Sequence, residues 1–172
     1  MSRSISRSGS PFGIALIVVT ALCAVGPQSL SAQSTAEFDV SITVENSCTI
    51  AVTDLDFGTV SDLTSAQDAA TTGSVTCTGA TPVSVSFNAG TVAGSTMAAR
   101  LLGFGAETIT FNLYRDSGRT EVLGDGTGGT VTIDFTSTGG ADGLSVFGRT
   151  AAGQNPKPAG TYSSTITATV TW

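Results

Sequence analysis

The chain has 172 residues, with 7 Lys and Arg against 13 Asp and Glu and no histidine, for a net charge of −6. So acidic a surface repels nucleic acid and anionic lipid. The missing histidine excludes Ser-His-Asp and Cys-His nucleophile systems and histidine-containing zinc sites.

The first element is a leader. Arg3 and Arg7 precede an apolar run from Phe12 to Val25, and small residues follow. The run is shorter than the roughly 20 residues a membrane-spanning helix needs. This is the layout of a secretory signal peptide over 1–32, with cleavage expected after Ala32 in "SLSAQ". Cys23 follows Leu22, where a lipoprotein site needs a small residue, so no lipid anchor is expected. The mature chain, 33–172, reads as one domain with a single core and no membrane span. It is more acidic still, because Arg3 and Arg7 leave with the leader.

"AEFDVSITVEN" opens the mature chain with unbroken alternation. Ala36, Phe38, Val40, Ile42 and Val44 take one face; Glu37, Asp39, Ser41, Thr43 and Glu45 take the other. Period two is the signature of a half-buried strand. Such a strand either pairs within its own sandwich or is given to another chain, and both need the same pattern.

Further candidate strands are 47–52, 73–78, 82–88, 107–115, 130–136, 143–149 and 161–172, punctuated by Gly, Asp, Asn and Pro. Segment 97–103, "TMAARLL", is ambiguous between a short strand and a turn of helix, and 59–72 reads as a polar loop. The last strand mirrors the first: Tyr162, Ile166, Ala168, Val170 and Trp172 share a face, opposite Ser163, Thr165, Thr167, Thr169 and Thr171. Short alternating strands at this spacing predict an all-β, immunoglobulin-like antiparallel sandwich, with a closed barrel as the alternative. Cys48 and Cys77 remain after the leader is cut. In an exported chain an even pair reads as one disulfide closing a loop of about 30 residues, two buried thiols being the alternative.

The chemistry-bearing motifs are weak. Asp54 and Asp56 in "TDLDFG" are more often turn caps than a calcium site or a carboxylate pair. "GDGTGG" matches a dinucleotide pattern in letters, but a strand follows where a helix N-terminus is required, so it reads as a hairpin loop bent at Asp125-Gly126. Arg115, Asp116, Arg119 and Glu121 read as a surface ion-pair cluster at a turn, a contact patch for a neighbouring subunit being the alternative. No catalytic residue, metal site or cofactor is expected, and the chain does not read as an enzyme.

The ordered set "NSCTI", "LDFG", "GSVTCTG", "FNLYRD", "GDGT", "VFGR" and "PKPAGTYSSTITATVTW", after the alternating first strand, resembles the spore coat U domain family. That family includes the subunits of archaic chaperone–usher (Csu-type) pili. The resemblance implies an incomplete sandwich, 47–172, with an apolar groove that is completed by a donated strand. It makes 33–46 the N-terminal donor strand, with Ala36, Phe38, Val40, Ile42 and Val44 as the groove-filling side chains. Tyr162, Ile166, Ala168, Val170 and Trp172 fall on the C-terminal strand, on the groove or chaperone side. The implied partners are other copies or homologous pilin subunits, a periplasmic chaperone and an outer-membrane usher. The implied route runs through the periplasm to the cell surface, where the fibre supports adhesion and biofilm formation. A rod or adaptor subunit is expected over a tip adhesin, which would carry an extra receptor domain. The competing readings are a spore or cell coat protein of the same fold and a secreted monomeric binding module.

Overall fold

The structure, a computed structural model, describes residues 31–172. The signal peptide read over 1–32 therefore lies, except for its last two residues, outside the described residues. Residues up to Ser41 and residues Ile42–Trp172 are separate units. In the first, positions 31–41 carry no regular structure and are exposed.

Every regular element among the described residues is a β-strand: β1 Cys48–Val52, β2 Asp68–Cys77, β3 Pro82–Phe87, β4 Arg100–Phe104, β5 Glu107–Tyr114, β6 Ile133–Thr136, β7 Ala141–Thr150 and β8 Ala168–Thr171. They form a five-stranded sheet, β1-β2-β7-β5-β4, and a three-stranded sheet, β6-β3-β8. All strand pairs are antiparallel. The sheets end in open edges and close no barrel, so the fold is an incomplete immunoglobulin-like sandwich.

The predicted alternation builds the core. Val83, Val85 and Phe87 of β3 face Val75 and Cys77 of β2, Phe111 and Leu113 of β5, and Leu144 and Val146 of β7 in one buried cluster. The polar residues between them, Ser84 and Ser86, stay half-buried on the other face, as the pleat requires. Cys48 and Cys77 are direct cross-strand partners, with Cα atoms 4.1 Å apart, and are joined by a disulfide. Its removal by Cys48→Ser with Cys77→Ser is expected to cost ~3–4 kcal/mol for a loop of this size. The urea midpoint measures this, and an unchanged midpoint would refute it.

Several elements depart from expectation. Residues 36–45 form no strand here, since a ladder needs a partner edge to bond to. β2 begins at Asp68, not at 73, because "DAATT" pairs with β7 as far as Arg149 despite its low hydrophobicity. Residues 68–72 are therefore ladder and not loop. Segment 97–103 resolves to β4, paired with β5. The 130–136 element shortens to β6, and 161–172 shortens to β8. Upstream of β8, Ser163 and Gly103 exchange N–H···O bonds of 2.9 and 3.1 Å across to β4. The C-terminal segment thus crosses from the large sheet to the small one, and a continuous ladder cannot span that crossing.

"GDGTGG" is not a hairpin. Leu123 and Val131 form a parallel bridge, and Asp125 Oδ1 accepts from Thr127 N (2.9 Å) and Thr127 Oγ1 (2.7 Å). The Asp side chain bends the loop back so that 131 runs alongside 123 in the same direction.

Candidate functional site

An open apolar groove lies between the C-terminal segment and residues 52–57. It measures about 330 Å³. One wall is Val52, Leu55 and Phe57, with Thr53, Asp54 and Thr71 among them; the other is Ser164, Thr165, Ile166 and Ala168. Its floor is the core itself: Phe87, Leu102, Phe111, Leu113 and Val146. Leu55 and Phe57 can lie over β7 because residue 148 is glycine; a Cβ there would sit 2.9 Å from both Leu55 methyls and 3.0 Å from Phe57 Cζ. Phe57 meets Phe111 edge-on, with ring centroids 6.1 Å apart.

The groove is bordered by free backbone. Asn88 N donates to Thr167 O at 3.1 Å, and β8 continues this register along β3. Successive residues of a strand point their N–H and C=O to opposite sides. Thr167, Thr169 and Thr171 therefore bond to β3, and Ala168 and Val170 present theirs to the open edge. On β1, Thr78 N donates to Ser47 O (2.9 Å) and Thr53 N to Thr72 O (3.0 Å). The odd residues face β2, which leaves Ile50 and Val52 with free backbone groups. Two bare strand edges flanking an apolar trough form a template for one more strand. Ser164 Oγ, a groove-lining atom, is buried with no hydrogen-bond partner. A buried hydroxyl is normally satisfied.

The C-terminal residues do not all occupy one place. Ile166 and Ala168 line the groove, and Val170 packs on the core. Tyr162 stacks obliquely on Phe104 at 5.5 Å and donates its hydroxyl to Pro158 O (3.0 Å). Trp172 lies away from the groove, beside Pro82, Val83 and Phe135. At the other end of the chain Phe38, Val40, Ile42 and Val44 are 84%, 83%, 88% and 84% exposed, and Ala36 is exposed as well. They form an exposed apolar stripe at strand period, and contiguous apolar surface of this kind is uncommon on a monomer.

The polar motifs resolve into turns. Asp56 Oδ1 accepts from Gly58 N at 2.7 Å. Arg115 makes a two-pronged pair with Glu121, at 3.0 and 2.6 Å. Asp116 accepts from the amides of Thr120 and Glu121, both at 2.9 Å, and the Glu121 amide is the main reason its carboxyl is held below the usual range. Asp68 is lowered chiefly by the hydrogen bond from Arg149, with Arg119 adding attraction. Among the described residues no group of three His, Cys, Asp or Glu could hold a metal ion.

Sequence reasoning missed Arg100. It is fully buried, and no carboxylate is among its hydrogen-bond partners. Its Nε donates to Asn88 O (2.9 Å), Nη1 to Asn112 Oδ1 (2.6 Å) and Met97 O (3.2 Å), and Nη2 to Leu123 O (2.8 Å) and Phe87 O (3.4 Å). Burial pushes its pKa down to about 10, so it remains charged at neutral pH. The only signal was a lone arginine in an otherwise apolar run.

No curated protein matches the chain. Among solved structures, it resembles the crystal structure of the CsuC–CsuE chaperone–tip adhesion subunit pre-assembly complex from archaic chaperone–usher Csu pili of Acinetobacter baumannii. The TM-score is 0.55 at 21% identity, over 76% of this chain and 40% of the matched one. The chain thus spans well under half the length of that relative. A chaperone–usher pilus structure that addresses rod uncoiling also aligns, at a TM-score of 0.49 and 16% identity, over 86% of this chain and 99% of that one. Residues 34–169 match the family model of the Spore Coat Protein U domain, and the chain belongs to that family.

Proposed function

We propose that this chain is a structural subunit of a cell-surface pilus, assembled by donor-strand exchange. In this reading 1–32 is a signal peptide, 33–46 the donor strand and 47–172 the acceptor sandwich. A periplasmic chaperone first covers the groove. At an outer-membrane usher the donor segment of the next subunit then replaces it, and the fibre supports adhesion and biofilm formation.

The observation that carries this reading is the matched pair within one chain: an apolar groove with free strand edges, and an exposed segment with apolar side chains at strand period. Strand addition obtains affinity from main-chain bonds and specificity from alternate side chains. Burying Phe38, Val40, Ile42 and Val44 in a groove would contribute roughly 6–12 kcal/mol from side chains alone. It would also cover edges that otherwise invite aggregation.

The family's description favours a second reading, a coat protein assembled in layers from the same parts. Genes for a chaperone and an usher beside this one would favour the pilus. The test common to both is the assembly state of the mature chain 33–172, by light scattering and unboiled SDS gel. A ladder of SDS-resistant multimers, lost on deletion of 33–45, is the expected result. A stable monomer would overturn strand exchange and leave the monomeric binding module.

A further inference from the structure

We infer that Trp172 is a positioning residue: it fixes the point and direction from which the N-terminal extension leaves the sandwich. This rests on the donor-strand reading. Trp172 is the only tryptophan and is 54% exposed, so packing alone does not account for an indole at this place. Its Nε1–H donates to the carbonyl of Asn46 at 3.1 Å.

Asn46 is the last residue held before the extension. After it, Ser47 N donates to Thr78 Oγ1 (3.0 Å), Thr78 N donates to Ser47 O (2.9 Å), and Cys48 is bonded to Cys77. Two residues before it, Val44 is exposed to solvent. The Asn46 side chain lies against Gly79, where any Cβ would collide with its Oδ1. Asn46 is therefore held on its carbonyl by the indole, while its side chain lies beside Gly79. Trp172 itself follows β8, whose Thr171 Oγ1 donates to Ser84 O (3.2 Å). One hydrogen bond thus joins the strand that borders the acceptor groove to the root of the donor segment. Without it the Asn46 peptide unit is free to rotate, and the hinge of the extension moves inward to Ser47. In a polymer that hinge occurs once per subunit, so its freedom sets the flexibility of the whole fibre. The partner on the far side of the hinge is a second copy of this chain or a homologous subunit.

Two measurements test this. In the mature chain, exchange of the single indole N–H should be at least about fivefold slower than in free indole, the factor one ordinary hydrogen bond supplies. Fibres of Trp172→Phe, which keeps a flat ring but has no donor, should show a persistence length about twofold shorter by electron microscopy. Gly79→Ala, whose Cβ would push aside only the flexible Asn46 side-chain amide and leave the bond from the indole to the Asn46 carbonyl in place, should leave the fibres as stiff as wild type; indole exchange decides the matter if W172F does not fold. Free-rate indole exchange, folded W172F that makes no fibres, or W172F fibres as stiff as wild type would each overturn the inference. A wild-type chain that forms no ladder removes the donor-strand reading and this inference with it. A normal ladder with unchanged W172F fibres removes this inference alone.

Discussion

Ile42→Asp is expected to abolish SDS-resistant multimers and to leave the sandwich folded. Ile42 is 88% exposed in the isolated chain, so a charge there costs the monomer almost nothing; surface changes of this kind usually stay within about 0.5 kcal/mol. In a filled groove the same change removes ~1.5–3 kcal/mol of apolar burial. There it would also hold a carboxylate over a floor of Phe87, Leu102, Phe111, Leu113 and Val146, whose side chains offer it no donor. A buried unpaired charge costs several kcal/mol more, so the ladder should fall by at least about a hundredfold. Thermal unfolding of the monomer supplies the control. An I42D chain that still polymerises would mean that residues 36–45 are not the donated strand. Thr43→Asp, on the polar face of the same segment, should assemble nearly as wild type. Similar losses from both substitutions would point to net charge and not to a groove-facing side.

Arg100→Ala should produce the largest loss of stability of any single polar substitution in the domain, ~3–5 kcal/mol. The guanidinium satisfies the carbonyls of Phe87, Asn88, Met97 and Leu123 and the Asn112 side chain at once. Truncation takes the donor from the Phe87 and Leu123 carbonyls, whose bonds to the guanidinium are buried, and opens a cavity beneath β4, although Asn112 Oδ1 keeps its bond from Leu113 N at 2.9 Å. Arg100→Lys should recover little, because a lysine ammonium cannot reproduce a planar fork aimed at several separate oxygens. Urea denaturation checks both variants; a loss under about 1 kcal/mol for Arg100→Ala would show that water replaces the arginine. The groove floor should soften as well, since Phe87 and Leu102 flank the arginine network and line the groove.

What the sequence determined by itself is the set of features fixed by neighbouring residues. Alternation at Val83, Val85 and Phe87, or at Leu144 and Val146, follows from the two-residue pleat and needs no knowledge of the partner strand. The same holds for the apolar face of Phe38, Val40, Ile42 and Val44, and for the pairing of Cys48 with Cys77. Period two says which side chains share a face, but it does not say what covers that face.

The tertiary structure decided the rest, because those features depend on residues far apart in the chain. Arg100 sits in a segment whose local pattern fits strand or helix, and its burial becomes tolerable only when carbonyls from 87, 88, 97 and 123 converge on it. Leu55 and Phe57 become a groove wall only because β7 carries glycine at 148 beneath them. Tyr162, Ile166 and Trp172, alike in the alternation, part company because the C-terminal segment bridges β4 at Ser163 and then follows β3 from Thr167. Which edges stay open is a property of strand order, and no stretch of sequence short enough to show a period contains it.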